Sequence, residues 1–398
     1  MSLSRRTALA LIPSGVLAGA CGGFARVRLS IAGLVEGPPL ERAPAAGYVL
    51  MQGGKVIASE AVGEAIIGQR AFTIRSPFRA ASVSKLVTTM VAQKLHNDGV
   101  LDLDAPLALS DEIIAPALTL RSLLSHTSGI SDPDVYWLAH PKSIEPLVTR
   151  TLLTRKTDAS FEYCNLGYGI AATVMEDATG RRFDHLARNL VLARDGLDAG
   201  FNWSGVSPEK RATGAALYRE NAAGWQTQTD GPDILRRSDP AILLETGASL
   251  STYTPGLNGT LFSPQGGLRA SLLDLATIAG RLKYSPELTR PVWTLNEDAS
   301  NGLHDQRYFT QFGTGVHIHP AAESLWPGQT LWGHHGEAYG LYSGAWYAPD
   351  LDLSFAYAVT GTPETPPARS VKHPALNTFT EALMDAVLAA YENSPAAR

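Results

Sequence analysis

The chain has 398 residues, 44% hydrophobic and 18% charged, with a formal net charge of −5. This composition excludes an intrinsically disordered chain, which carries more charge and fewer apolar residues. Mild acidity, with no basic run interleaved with aromatics beyond the first few residues, argues against a nucleic-acid partner. A prior of about 150 residues per domain allows two or three domains.

The N-terminus reads as an export signal over residues 1–20. Ser4-Arg5-Arg6-Thr7-Ala8-Leu9-Ala10 is similar to a twin-arginine signal, and a short apolar segment follows from Leu11 to Ala20. That segment is too short to span a hydrocarbon core of about 30 Å. It ends in Ala18-Gly19-Ala20-Cys21, which resembles a lipoprotein cleavage box, although the usual leucine sits one place early, at Leu17. The expectation is an exported bacterial protein, periplasmic or anchored in the membrane through lipid on Cys21; ordinary cleavage is the alternative. Cys21 and Cys164 are the only cysteines, so a lipidated Cys21 leaves no disulfide, and a cysteine-built metal site is excluded.

Residues 21–45 read as a lead-in or tether with a short helix around Phe24 to Val35. Gly47 to Gln52 and Lys55 to Val62 are β-prone runs joined by Gly53-Gly54, a hairpin signal. From Val83 to Asn97, Val83, Leu86, Val87, Met90, Val91 and Leu95 recur at helical spacing, and Asp98-Gly99 closes the helix. Further helices are expected over about Gly167 to Asp177 and from Ser271 to about Lys283. Ala212 to Thr229 reads as two short strands around Ala222-Ala223-Gly224. Gly340 to Tyr347 and Leu353 to Thr360 form a second hairpin across Ala348-Pro349-Asp350, and a final helix spans about His373 to Tyr391. Strands at both ends and helices between them predict an α/β sheet domain from residues 46–100 and 250–395. A mainly helical domain, 101–249, is inserted between those segments.

Three short motifs carry the chemistry. Ser82-Val83-Ser84-Lys85 is S-x-x-K at a helix start, where free N–H groups and the helix dipole favour negative charge. Lys85, three residues on, shares the face of Ser82 and could take its proton if desolvation lowers the amine pKa. Alone the motif is weak, since a capping serine before an ordinary helix looks the same. It is joined by Tyr163-Cys164-Asn165 (Y-x-N) and by His334-His335-Gly336 at the start of the C-terminal β run.

Together these motifs resemble the serine β-lactamase and penicillin-binding-protein superfamily, in the branch of class C β-lactamases, D-alanyl-D-alanine carboxypeptidases and related esterases. Supporting segments are Phe78 to Ser82, Gly99 to Pro106, Leu123-Leu-Ser-His-Thr-Ser-Gly-Ile130, and Gly266-Gly-Leu-Arg-Ala-Ser271 with Asp274-Leu-Ala276. The resemblance covers about residues 45–390. It implies a β-lactamase/transpeptidase-like α/β fold, an antiparallel sheet flanked by helices with an inserted mainly helical domain.

The resemblance also implies roles. Ser82 is the nucleophile, and Tyr163 exchanges protons with Ser82 and the leaving group. A tyrosine acts as a base near neutrality only if cations stabilise its phenolate, and Lys85 and His334 are the candidates. Asn165 positions a substrate carbonyl or Lys85. Backbone N–H groups of Ser82 and of the residue after the third motif, Glu337 give or take a residue or two, form the oxyanion hole. His334, His335 and Gly336 border the substrate. His126 holds a turn, and Cys164 is structural.

The sequence departs from the β-lactamase pattern at the third motif, usually K-T-G, where His335 supplies no hydroxyl. Nor is a separate deacylating glutamate visible, so deacylation rests on Tyr163 and Lys85. An α/β-hydrolase is argued against by the lack of a G-x-S-x-G elbow. His317, His319, His334 and His335 raise the question of a metal, but neither H-x-H-x-D-H nor H-E-x-x-H occurs. His317 and His319 read as residues lining one strand face. No metal and no cofactor are expected. The function read from the sequence is an exported serine hydrolase acting on a small-molecule ester or amide through acyl-Ser82. Esterase or D-amino-acid peptidase action is preferred over a specialised β-lactamase. The alternatives are a true class C-like β-lactamase acting on lactams, or a penicillin or cell-wall binding protein without turnover.

Overall fold

The computed structural model describes residues 43–110, 113–115, 118–156, 160–231, 248–302 and 307–397. The expected export signal, Cys21 and nearly all of the lead-in, with its short helix, lie outside the described residues. Among the described residues, no helix is long and apolar enough to cross a membrane.

The first hairpin forms as its sequence predicts. Strands β1 (Ala45–Gln52) and β2 (Lys55–Ile66) pair antiparallel across Gly53 and Gly54. Both turn glycines have positive φ (56° and 77°), the geometry a tight two-residue hairpin demands. The two-residue strands β3 (Arg70–Ala71) and β4 (Phe78–Arg79) follow, then helix α1 (Ser84–Asn97), entered through a 3₁₀ turn at Ala81–Val83. The periodicity suggested one apolar face for α1, but it is buried on nearly all sides, from Ser84 through Gln93. Its polar residues are satisfied inside: Thr88 donates to the Pro264 carbonyl at 2.6 Å and Ser84 to the Ala81 carbonyl at 2.6 Å.

Helix α2 (Leu166–Thr179) ends at Gly180, whose φ of 65° stops the helix in the left-handed region. After the short strand β5 (Gly200–Phe201), β6 (Leu217–Asn221) and β7 (Gly224–Thr229) form the expected pair around Ala222-Ala223. Strand β8 (Leu268–Ala270) leads into α3 (Leu272–Gly280), capped by a reciprocal Ser271–Asp274 box; a 3₁₀ turn continues it to Tyr284.

The remaining strands are β9 (Trp293–Thr294), β10 (Gln311–Phe312), β11 (His317–His319), β12 (Leu331–Ala338), β13 (Leu341–Ala348), β14 (Leu353–Val359) and β15 (Gly361–Pro363). Helix α4 (Thr378–Glu392) closes the fold. It starts five residues later than the pattern suggested. Asn377 is its true N-cap, its side chain accepting from the Phe379 and Thr380 N–H groups, while Pro374 lies in the turn before it.

Nine strands from the two ends of the chain form one antiparallel sheet in the order β9-β10-β11-β12-β13-β14-β1-β2-β3. Two smaller sheets, β4-β8-β5 and β15-β6-β7, stitch the middle of the chain to that core. Helix α3 packs on β1, β13 and β14, and α4 meets the same strands. Helix α1 packs among α2, α3 and β12, so the start of α1 lies at a joint between sheet and helices. The interior position of α1 is what buries Lys85 beside the partly exposed Ser82.

Candidate active site

Ser82 lies in the 3₁₀ turn ahead of α1, directly after Ala81, whose φ is 50°. A non-glycine residue in that region is held there by its surroundings, and such strain gathers at functional sites. The holding contacts are visible. Ser84 Oγ bonds the Ala81 carbonyl and accepts from Leu268 N–H at 3.0 Å, while Ser343 Oγ donates to the Ala80 carbonyl at 3.2 Å.

Strand β12 presses against this turn at Gly336. A Cβ there would fall 2.6 Å from the Ala80 carbonyl and 2.3 Å from Ser343 Oγ, so the glycine of the third motif is a close-approach residue. Register runs His334 opposite Ala345, Gly336 opposite Ser343 and Glu337 opposite Tyr342. Pairing with β11 stops at Gly333, so beyond it alternate N–H groups of β12 lack a strand partner on that edge. The expected second oxyanion donor belongs to this stretch.

Lys85 is fully buried and bonds three acceptors: Ser82 Oγ at 3.1 Å, Asn165 Oδ1 at 2.8 Å and the Gln265 carbonyl at 3.2 Å. Burial pushes its amine down to about 7, against the opposing pull of Asp132 and Cys164. Of the two partners expected for Asn165, the structure brings it to Lys85. Its Nδ2 donates to Asp132 Oδ2 at 2.8 Å, and Asp132 Oδ1 accepts from the Leu166 N–H at 2.8 Å. Asp132 therefore anchors the start of α2 and fixes the Asn165 amide. Sequence reasoning missed it, and its only signal is its place directly after the Leu123-to-Ile130 segment.

Tyr163 hydrogen-bonds Ser82, but burial drives its phenol up rather than down. This corrects the expectation of a cation-stabilised phenolate. The second supposed cation fails as well: burial first, then the nearby Lys85 ammonium, press His334 down to about 3, so it is neutral. His334 Nδ1 lies 2.5 Å from the His335 carbonyl and its ring centroid 6.2 Å from that of Tyr163.

His126, with φ 61°, accepts the Cys164 N–H at Nδ1 (3.0 Å) and stacks 4.3 Å from the Tyr163 ring. Its carbonyl accepts from Glu162 N–H at 2.8 Å, so it holds the Y-x-N segment on both sides of Tyr163. Cys164 is buried with its thiol pushed well up by desolvation, and its Sγ points at Asp132 Oδ1 at 3.3 Å.

These groups open onto a cleft of about 380 Å³ lined by Ser82, Tyr163, Tyr308, Phe309, His334, His335, Glu337 and Arg369. Phe309 stacks on Tyr163 at 5.3 Å, and the Arg369 guanidinium lies 5.1 Å from the Tyr308 ring centre. None of Tyr308, Phe309 or Arg369 was legible in the sequence, since loops bring them in. Strand alternation turns the His335 ring to the face opposite His334, where it packs 4.7 Å from Trp346 while still contributing to the cleft wall. The arrangement suits proton removal from a serine hydroxyl by a neutral amine, beside a phenol able to donate.

Comparison with known proteins identifies the family. The profile of the Beta-lactamase family matches residues 34–378, and the chain belongs to that family. It is 27% identical over 135 residues to the putative fimbrial assembly protein FimD, serogroup D, of Dichelobacter nodosus, 31% of this chain and 34% of that protein. The chain thus matches only about a third of that relative's length. A D-aminopeptidase of Gluconobacter oxydans (strain 621H) is 24% identical over 315 residues, 72% of this chain and 53% of that protein. Among solved structures, D-amino acid amidase from Ochrobactrum anthropi SV3 complexed with L-phenylalanine amide superposes with a TM-score of 0.63. It covers 87% of this chain and 93% of that one at 17% identity, a likeness of fold.

Proposed function

We propose that the protein is an exported serine hydrolase that cleaves ester or amide bonds through an acyl-enzyme on Ser82, with Lys85 as base. The observation that carries this reading is the Lys85 amine, buried, 3.1 Å from Ser82 Oγ and lowered to about 7. About half of such lysines are neutral at pH 7, so a base of matched strength touches the nucleophile. As Ser82 Oγ attacks the carbonyl carbon, its proton passes to Lys85 and the carbonyl electron pair moves to oxygen. Backbone N–H groups at Ser82 and along β12 would stabilise that oxyanion. Collapse expels the leaving group, which takes the proton of the Tyr163 phenol, and the Lys85 ammonium restores it. Water then repeats the sequence on the acyl group, releasing the acid and Ser82.

Substrate preference follows from the third motif. A neutral His334 offers no fixed cation and His335 no hydroxyl to a β-lactam carboxylate, which favours esters and amides. The names of the D-aminopeptidase and D-amino acid amidase support acyl donors built on D-amino acids. Export rests on the Arg5-Arg6 signal, and fractionation of cells expressing the full chain tests it.

Intact-mass analysis after a fluorophosphonate tests the core claim: one adduct on the wild type and none on Ser82→Ala are expected. An adduct that survives in Ser82→Ala contradicts it. Side-by-side kinetics on p-nitrophenyl butyrate, a D-Ala-D-Ala peptide and nitrocefin test the preference; a faster nitrocefin rate reverses it. The altered third motif also favours a second reading, a penicillin or cell-wall sensor. That reading predicts a lasting acyl adduct with no turnover of any of the three.

A further inference from the structure

One residue beyond His334, the sheet carries a second constellation. His317 and His319 are two apart on β11 and so share a face. Gly333 pairs with His317, which places His335, two residues further along β12, on that same face. Three histidines from two strands thus converge, and one nitrogen from each lies within 4.8 Å of the others. Their exposures are 0%, 1% and 6%.

The nitrogens are poorly served for buried polar atoms. Among the described residues, neither nitrogen of His317, neither of His319, nor Nε2 of His335 has a hydrogen-bond partner. The Glu323 carbonyl lies near His319 without closing a hydrogen bond. His335 Nδ1 is 3.4 Å from Tyr357 Oη, which engages that nitrogen, while Nε2 has no partner.

A shaped wall surrounds the group. Trp346 lies 4.9 Å from the His319 ring and 4.7 Å from that of His335. Gly344, opposite His335, leaves the room that Trp346 and Tyr357 occupy: a Cβ there would meet Tyr357 Cζ at 2.5 Å and Trp346 Nε1 at 2.6 Å. Phenylalanines would pack as well without leaving ring nitrogens unpaired, a costly state in a dry interior. Simple packing does not account for three histidines here.

We propose that His317, His319 and His335 bind a divalent d-block cation, with Zn²⁺ the first candidate and water or an anion arriving past Tyr308 as fourth ligand. Three imidazoles with one open position are a known zinc set. Zn–N bonds of about 2.0–2.1 Å put tetrahedral nitrogens about 3.4 Å apart, so from separations within 4.8 Å binding draws the widest pair together by at most about 1.4 Å. The metal would staple β11 to β12 beside His334 and stiffen the cleft wall, a positioning role. Sequence patterns with closely spaced ligands miss such a site because His335 comes from the next strand.

The test uses the full chain made without a polyhistidine tag, stripped with a chelator, then titrated with Zn²⁺ against a chromophoric competitor. One equivalent per chain is expected, weakened at least a hundredfold in His317→Phe and in His319→Phe and unchanged in the exposed His185→Gln. Should those variants not fold, Co²⁺-loaded wild type still decides, since tetrahedral imidazole-bound cobalt absorbs far more strongly in the visible than surface-bound octahedral cobalt. No stoichiometric zinc and no tetrahedral cobalt spectrum in the wild type overturns the proposal, as does full binding by folded His317→Phe. These readouts do not depend on hydrolysis, so they stand apart from the fate of Ser82.

Discussion

Among the described residues two cations are fully buried, and their surroundings differ in one respect that decides what each can do. Arg269 is held by Asp230 in a two-pronged pair, Nε to Oδ2 at 3.0 Å and Nη2 to Oδ1 at 2.9 Å. Asn202 and the Gly267 carbonyl take further guanidinium protons, and Trp203 Nε1 donates to Asp230 at 2.9 Å. Lys85 has only neutral oxygens as direct partners among the described residues, and Asp132 stands behind Asn165 rather than against the amine. A fixed guanidinium with a carboxylate is a structural clamp. It secures a region where Asn202, Trp203 and Asp230 all have positive φ. An amine denied a carboxylate gives up its proton near neutrality. Burial alone does not make a catalytic group; the placement of the counter-charge does.

Substitutions break this contrast in opposite directions. The largest effect is expected for Lys85→Met, a fall in acylation rate of about 10³-fold, within the usual span for a positioned base. Its stability should equal or exceed that of the wild type at neutral pH, because an unpaired buried cation is removed. The sign follows from linkage. Between pH about 7 and 10.5 the unfolded chain keeps a proton on Lys85 that the native state has shed, so the wild type gains stability as pH rises through that window. Denaturant titrations at several pH values should show the gap between variant and wild type narrowing as pH rises. A Lys85→Met protein that is markedly less stable would show that the amine is a clamp after all.

Arg269→Met should do the reverse. Leaving Asp230 buried without its partner costs about 3–5 kcal/mol, read as a shifted denaturation midpoint, and any activity lost should track the folded fraction. Asp132→Asn falls between them. It keeps shape but loses the charge that Asn165 and the α2 start share, so a fall of about 10²-fold in rate is expected with a smaller loss of stability. If the rate holds while stability collapses, Asp132 belongs with Asp230 as scaffold.

How much of this was readable in the sequence depends on contact distance along the chain. Ser82 and Lys85 share one helical turn, so their relation follows from spacing. Both hairpins and α2 likewise announce themselves through turn residues and periodicity. Asp132 and Asn165 are 33 positions apart and Arg269 and Asp230 are 39, and no local pattern links them. The Tyr163 phenolate and the His334 cation failed for a related reason. Their charge states depend on how completely α1, α2 and β12 close around them, a property of packing. The same limit hid the convergence of His335 with His317 and His319, which come from the neighbouring strand.

The central claim is that Lys85 sheds its proton near neutrality and thereby activates Ser82. Its most direct test is the rate of adduct formation on Ser82 with a neutral fluorophosphonate, followed by intact mass across pH 5 to 9. A rise to a plateau with an apparent pKa near 7, absent in Lys85→Met, is the predicted result. A profile that is flat over that range, or that is unchanged in Lys85→Met, would contradict it.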